Sequence, residues 1–573
     1  MIILFILLGP VSFGQIPKDE LIVDTSVFPK EYVKLSINSD ILLAGETLYY
    51  KIAVLTNANT KSQLSKIAYV SLRNDKDSII FNHKLKLQNS NAYGDFFLPS
   101  SIKTGSYRLI SYTNFSRNNV EDIFDEKVIY IINTFVNTSG SSIQSDTISM
   151  KLTNRQFAEF STATNSEKSQ QIITEKEMYG FREKVSISFQ NIIGNEGDTY
   201  LLSVRKVNPI TVFTSNLRNN KPIASTLFYL PELRGELISG KVVSKEDDKK
   251  LVANKVVSLT IPGKDFIFKL SKTDRNGRFF FSVLENYNSE KSFIQLYDSE
   301  NEREKYKVIV DEKDIKLENK RDELIKLDSN LKDWLQNRSI QIQIENAYFD
   351  KKQDSLIAGE RPIPFYDALG TVYLLDDYTR FPTVRETFIE IIKLAAVRGS
   401  GENTRLFVYN EYDPNGLGKF NGIPPLVLMD GLLIQNNNDL LSYNAKEIKS
   451  IRVINQPYRF GPNIYSGIIV VETNNKNFIP SISRNYIQEI SLPPRVIDKN
   501  YFSPNYLNNN SYNRIPDYRV QLLWEPSFKI GNGEKEKTFF TSDVPGIYEI
   551  RLQGYSEMGI EKILKTYFQV KGK

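Results

Sequence analysis

The chain holds one histidine, His83, and no cysteine among its 573 residues. Those two counts remove whole chemistries. Thiol nucleophiles, disulfide frameworks and cysteine-built zinc sites cannot form, and a second histidine ligand is not available. A Ser-His-Asp relay would have to run through His83. That residue stands in Phe81-Asn-His-Lys-Leu-Lys-Leu87, where polar and apolar residues alternate, so it reads as a residue on the surface of a strand. What is left for catalysis is carboxylate chemistry, and spacing singles out no pair among the 68 Asp and Glu residues. One polar cluster to weigh is Asp376, Asp377 and Arg380, with Glu386 following. A deep cleft gathering all four would be an acid/base site; an ion-paired helix start is the structural reading. Asp376, Asp377 and Arg380 are accordingly candidates for an exposed partner-binding rim, with no catalytic, cofactor-binding or metal-binding residue assigned. Asp430-Gly431 reads as a tight turn after a buried strand, and Gly467 as a point of close backbone approach. Asp274 and Asn276 belong to a turn, because one short acidic turn lacks the six or more oxygens that calcium takes.

The elements that must hold these residues follow from periodicity. Thr383-Val-Arg-Glu386 fits a capping box, with Thr383 as N-cap and Glu386 reaching back. Val384, Phe388, Ile391, Ile392 and Ala395 then share an apolar face, predicting a helix that ends at Arg398-Gly399. Strands are expected at Leu406-Phe-Val-Tyr409, Pro425-Leu-Val-Leu-Met429, 448–454 and 468–471. Together these make one small α+β unit. Elsewhere the pattern alternates every second residue, as in Val33, Leu35, Ile37 and in Leu48, Tyr50, Ile52, Val54, which argues antiparallel β-sandwiches. Trp524 reads as a core residue; an exposed aromatic pair would instead favour a binding surface.

Composition is that of a globular chain, with 40% hydrophobic and 25% charged residues. Lys+Arg 73 against Asp+Glu 68 leaves a net charge of +5, spread thinly, with no basic run of the kind that tracks phosphates. Nucleic acid is therefore not an expected partner. Met1-Ile-Ile-Leu-Phe-Ile-Leu-Leu-Gly-Pro-Val-Ser-Phe-Gly-Gln15 is too short to span a bilayer and carries small residues before Gln15, which predicts a signal peptide at 1–14. No later segment has the length and polarity of a membrane-spanning helix.

Three stretches resemble known modules. Ala44-Gly-Glu46, Gly94-Asp-Phe-Phe-Leu-Pro99 and Gly105-Ser-Tyr-Arg-Leu-Ile110 resemble the second macroglobulin domain of the α-2-macroglobulin family, whose thioester needs a cysteine that is missing here. Ser239-Gly-Lys-Val-Val243, Asn254-Lys-Val-Val-Ser-Leu-Thr-Ile261 and Thr273-Asp-Arg-Asn-Gly-Arg-Phe-Phe-Phe281 resemble the carboxypeptidase-regulatory-like domain. Pro425-Leu-Val-Leu-Met-Asp-Gly431, Ile448-Lys-Ser-Ile-Arg-Val453 and Tyr465-Ser-Gly-Ile-Ile-Val-Val-Glu-Thr473 resemble the plug domain of TonB-dependent outer-membrane receptors, without the repeated amphipathic strands of a receptor barrel after them. The combination resembles a Bacteroidota group of exported proteins.

The expected fold class is multidomain and mainly β, with serial immunoglobulin- or macroglobulin-like sandwiches plus one small α+β plug-like domain and no transmembrane barrel. The expected layout is a signal peptide at 1–14, an MG2-like sandwich at 30–136, a linker with a second macroglobulin-like unit at 137–230, and a regulatory-like domain at 233–312. A connector at 313–364, the plug-like domain at 365–476, a linker at 477–515 and a terminal sandwich at 516–573 complete it. The resemblance implies a non-catalytic accessory or scaffold of the cell envelope, outer membrane-associated on its periplasmic or outer side. Its partner would be an outer-membrane protein or envelope complex component, with no cofactor and no membrane span of its own. The alternatives are a glycan- or protein-binding component of a TonB-dependent uptake system and a carboxylate-based envelope enzyme.

Overall fold

The computed structural model describes residues 29–572 apart from 58–59, 120–121, 137–145, 154, 162–170, 193–197, 215–227, 248–249, 251, 264–265, 318–322, 360–361, 413–419, 421, 477, 479–485, 508–511, 513, 531–535 and 557. The expected signal peptide at 1–14 lies outside these residues. The described chain is multidomain and mainly β, with every sheet open. No helix among the described residues is long and apolar enough to cross a membrane.

The N-terminal sandwich packs the sheet Glu31–Ile37, Thr47–Thr56, Asn91–Phe97 against a five-stranded sheet. The latter runs Ile41–Leu43, Asp125–Ile132, Gly105–Tyr112, Ile67–Arg73, Ile79–Lys86. Leu35, Leu48, Ile52, Val70, Leu109 and Ile129 meet in its core, as alternation along half-buried strands requires.

A second sandwich corrects the expected layout. Its three-stranded sheet is Gln171–Thr174, Lys184–Gln190, Glu536–Phe540. Its five-stranded sheet is Met178–Tyr179, Glu561–Val570, Gly546–Tyr555, Thr199–Lys206, Gln521–Phe528. The unit expected within 137–230 and the sandwich expected at 516–573 are therefore halves of one body. Val185, Ile187 and Val204 share a core with Phe528, Ile550 and Phe568. Each half has too few strands to cover its own apolar face, and only their union closes the core.

The connector expected at 313–364 is also structured. Its strand Glu323–Leu327 pairs in parallel with Asp146–Leu152, and the 16-residue helix Lys332–Ala347 follows. That helix buries Leu335, Ser339 and Ile342 at spacings of four and three, one face of a helix, against Ile41, Leu43 and Ile132 of the N-terminal sandwich.

The third sandwich pairs Glu236–Ser244 with Arg278–Val283 and Tyr306–Val310. Its second sheet is Ile267–Lys272, Val256–Ile261, Lys291–Tyr297, Ile487–Ser491. Its last strand comes from the 477–515 segment expected as a linker. The same segment pairs Lys499–Asn500 with Ser355–Leu356 and bonds Val496 N to Lys84 O at 2.9 Å, so it laces three units together rather than spacing them.

The α+β unit holds the sheet Thr371–Leu374, Ile448–Ile454, Ile468–Thr473, Leu426–Met429, Leu432–Leu433. Its helix is Val384–Glu390, with both arms of the Thr383–Glu386 capping box formed. It stops earlier than the periodicity predicts. Ile391 is the half-buried C-cap, and Ala395–Arg398 is a strand paired with Arg405–Val408. Phe388 and Val384 carry the burial.

Candidate ligand cleft and docking rim

The turn at Asp430 is structural. Residues 430 and 431 both take positive φ, 45° and 85°, the conformation such a tight reversal needs and glycine tolerates best. The buried Asp430 carboxylate accepts from Thr473 N at 2.9 Å, Thr473 Oγ1 at 2.5 Å and Phe478 N at 2.9 Å. Gly431 O accepts from Thr260 Oγ1 at 3.1 Å, which places the turn against the third sandwich. At Gly467 a Cβ would stand 2.4 Å from Ile454 O, so the close backbone approach is present.

The rim residues sit on the turn Leu375–Asp377 and just beyond it. Arg380 Nη2 donates to Asp376 Oδ1 at 2.5 Å, while Nη1 donates to the carbonyls of Ala445 at 2.9 Å and Ile448 at 2.5 Å. Asp376 and Asp377 face solvent. Glu386 turns away into the capping box, accepting from Thr383 N at 3.4 Å. The four residues therefore do not gather in a cleft. They form an ion-paired helix start, with two carboxylates presented outward.

His83 is less superficial than a strand-surface residue. It is half-buried beside Phe81 and Phe96, and its Nδ1 shares a 2.6 Å hydrogen bond with the hydroxyl of fully buried Tyr50. Burial pushes its pKa down to about 4, so the ring is neutral near pH 7. Asp274 is occupied with its own turn, Oδ1 accepting from Asn276 N and Arg278 N, both at 2.8 Å. No group of three or more His, Asp or Glu among the described residues is placed to hold a metal ion.

The most convergent site joins residues far apart in sequence. A cleft of about 620 Å³ opens where the N-terminal sandwich, the second sandwich, the helix Lys332–Ala347 and the returning segment near 500 meet. Its aromatic wall is Trp524 against Tyr49, with ring centroids 5.5 Å apart, and Tyr49 against Tyr501 at 5.2 Å. Phe97 and Phe349 stand at the cleft as well, and both are exposed. The charged groups are matched within the wall. Arg338 Nη2 donates to Glu46 Oε1 at 2.7 Å, and Arg205 lies 3.7 Å from the same carboxylate. Lys499 bridges Asp95 at 2.8 Å and Asp354 at 2.9 Å. Burial alone would raise the pKa of Glu46, but the Arg338 and Arg205 guanidiniums together with the Leu43 N–H hydrogen bond hold the carboxyl below its ordinary value. Trp524 is buried, as its reading as a core residue expects, whereas Tyr501 belongs to the segment expected as a linker. The signal was the aromatic richness of that linker; the pairing with Tyr49 was invisible, because nothing local marks a contact across so much chain.

No protein-family model and no curated protein sequence matches the chain. Among solved structures it aligns with a Salmonella alpha-2-macroglobulin reacted with methylamine at 8% identity and a TM-score of 0.23, over 95% of this chain and 40% of that one. Escherichia coli alpha-2-macroglobulin activated by porcine elastase aligns at 6% identity and a TM-score of 0.24, over 95% and 44%. A beta-glucosidase from Listeria innocua in complex with isofagomine aligns at 14% identity and a TM-score of 0.13, over 18% and 16%. The chain thus spans less than half the length of each, and overlaps of this quality carry no argument about its activity.

Proposed function

We propose that this chain is a non-catalytic accessory or scaffold of the cell envelope, whose plug-like unit docks to an outer-membrane protein complex. The observation that carries this reading is an open sheet edge. Among the described residues, Thr371–Leu374 pairs on one side only, with Ile448–Ile454, and leaves Val372 40%, Leu374 46% and the following Tyr378 44% exposed. An uncapped edge with outward apolar side chains is a ready template for a partner strand. Asp376 and Asp377 beside it would give charge selectivity to the encounter. The groups best suited to acid/base work are engaged in holding the fold: His83 with Tyr50, Asp430 with Thr473, Glu386 with Thr383.

The test is site-specific photo-crosslinking in intact envelopes, with the probe at position 374 and, as a control on a different unit, at the exposed position 563. One outer-membrane protein captured from 374 alone, and lost in a Val372→Lys background, is the expected outcome. Equal capture from both positions, or none from either, would overturn the docking assignment.

A further inference from the structure

The cleft between the two sandwiches carries its charges unevenly. At one end the Glu46 carboxylate serves two guanidiniums. Arg338 uses its donors fully, Nε and Nη2 to Glu46 Oε1 at 3.1 and 2.7 Å and Nη1 to Tyr518 O at 3.1 Å. Arg205 comes no closer to the same carboxylate than 3.7 Å, and its guanidinium donates no hydrogen bond among the described residues. That side chain lines the cleft and is 13% exposed, so it is reached from there. Five N–H donors in a fixed fork, largely removed from bulk water and unanswered by the protein, call for an anion. At the other end the balance is reversed. Lys499 is one ammonium between two carboxylates, Asp95 at 2.8 Å and Asp354 at 2.9 Å, the three side chains being 20%, 17% and 27% exposed. The remaining charges of the wall cancel, Lys352 against Glu345 at 2.6 Å and Arg519 against Asp517 at 2.8 Å. The cleft is neutral in sum but dipolar.

The sheet sets the distance between the poles. Asp95 is the cross-strand partner of Tyr49, and Phe97 that of Thr47, so these four side chains share the face that lines the cleft. The ladder runs on to Glu46, whose carbonyl accepts from Leu98 N at 2.9 Å. Three residues from Glu46 to Tyr49 put the poles about 10 Å apart. Tyr49 stands between them: burial raises the pKa of its hydroxyl, Asp354 and Asp95 raise it further, and Arg205 lowers it. A single amino acid is too short to reach both poles. Three extended residues, at about 3.3–3.6 Å each, span about 10 Å.

We infer that this cleft binds a free peptide of about three residues, its terminal carboxylate on Arg205 and its terminal ammonium against the Asp95 and Asp354 carboxylates. A simple anion would answer Arg205 and leave the carboxylate pole without a partner, and a segment inside a longer chain carries neither terminus. Only a short zwitterion meets both poles without breaking an ion pair already made in the wall, an exchange that a partly desolvated site makes costly. An apolar side chain at the middle residue would cover the outward rings of Phe97, 48% exposed, and Phe349, 62% exposed, which water alone does not favour. The cleft volume of about 620 Å³ is that of a small-ligand site. The site lies on other units than the docking edge at 371–374 and stands independently of it.

The full chain is titrated calorimetrically with the tripeptide Ala-Phe-Ala, with its N-acetylated and its C-amidated forms, and with sodium acetate as the simple anion. The expected result is saturable binding of the free tripeptide, weakened about tenfold or more by either blocking group and by Arg205→Gln. Asp354→Asn should weaken the free peptide by a similar factor and leave the acetylated one unchanged, because that form has no ammonium to lose. Asp354 is partly exposed, so its variant stays informative should Arg205→Gln misfold. No saturable heat up to about 10 mM, equal affinity for the free and blocked peptides, acetate binding as tightly as the tripeptide, or unchanged affinity in the variants that fold would each overturn the assignment.

Discussion

The Lys84 ammonium donates to the Glu236 carboxylate at 2.6 Å, across the junction between the N-terminal and third sandwiches, with both side chains buried. Lys84 also donates to Tyr287 OH and Pro493 O, each at 2.7 Å, and Lys313 meets the other Glu236 oxygen at 2.9 Å. The Lys84 ammonium therefore ties together the strands that begin at Ile79 and Glu236 and the segment that returns near Pro493.

Acid should loosen that junction. Burial alone would raise the Glu236 pKa, but Lys313 and Lys84 pull it down to about 2 from an ordinary 4.5. A depressed carboxylate contributes stability fully above the unfolded value and loses it as pH falls through the folded one. Urea midpoints should fall between about pH 4.5 and 2 in the wild type, and that group's share of the slope should be missing in Glu236→Gln. At pH 7 the same variant, leaving the buried Lys84 ammonium without its carboxylate while Lys313 keeps Glu232 at 3.6 Å, should cost about 3–5 kcal/mol. A loss below 1 kcal/mol would mean that water reaches the junction.

Lys51 presents the opposite case. It is buried, and its Nζ donates to Thr199 O at 3.1 Å. Burial, with Lys61 nearby as a second cause, pushes its pKa down to about 7. Below that pH it is charged in both folded and unfolded states and the burial penalty is complete; as pH rises from about 7 toward 10.5 the folded chain sheds the proton first and gains stability. Lys51→Met should therefore stabilise the protein by about 1–3 kcal/mol at pH 6, with the gain shrinking by pH 9. Chemical denaturation at the two pH values checks both the size and the trend.

Gly431 is a packing position. A Cβ there would lie 2.2 Å from Phe266 Cγ and 2.6 Å from Phe266 Cβ, at a φ of 85°. The ring cannot simply rotate away, because its own Cβ is within the clash. Gly431→Ala should cost about 2–4 kcal/mol, and adding Phe266→Ala should recover the steric part but not the backbone strain. Purely additive losses in a double-mutant cycle would show that the two do not meet.

The rim should divide into two kinds of residue. Asp376 is an exposed partner in an i,i+4 pair, so Asp376→Asn should change stability by less than about 0.5 kcal/mol. Arg380 also caps two backbone carbonyls, of Ala445 and Ile448, and Arg380→Ala should cost about 1–3 kcal/mol. Thermal unfolding of the purified variants distinguishes them. Equal tolerance would place Arg380 with the free rim.

Much of the local structure was legible in the chain itself. Alternation identified the strands, because a half-buried sheet imposes a period of two on its own residues. Thr383 and Glu386 announced the capping box for the same reason: its partners are three residues apart. The helix end was misplaced because Ile391, Ile392 and Ala395 keep a helical period that the strand Ala395–Arg398 overrides through its pairing with Arg405–Val408. The long helix Lys332–Ala347 escaped notice because only Leu335, Ser339 and Ile342 are buried, a narrow stripe in a polar segment. What tertiary structure alone decided was partnership. That Thr199–Lys206 joins Gln521–Phe528 in one sheet, that Ile487–Ser491 completes another, and that Tyr49, Tyr501 and Trp524 line one cleft are non-local facts. Any strand with one apolar face could satisfy many others, and only packing the whole chain at once, with every edge and every buried charge answered, selects among them.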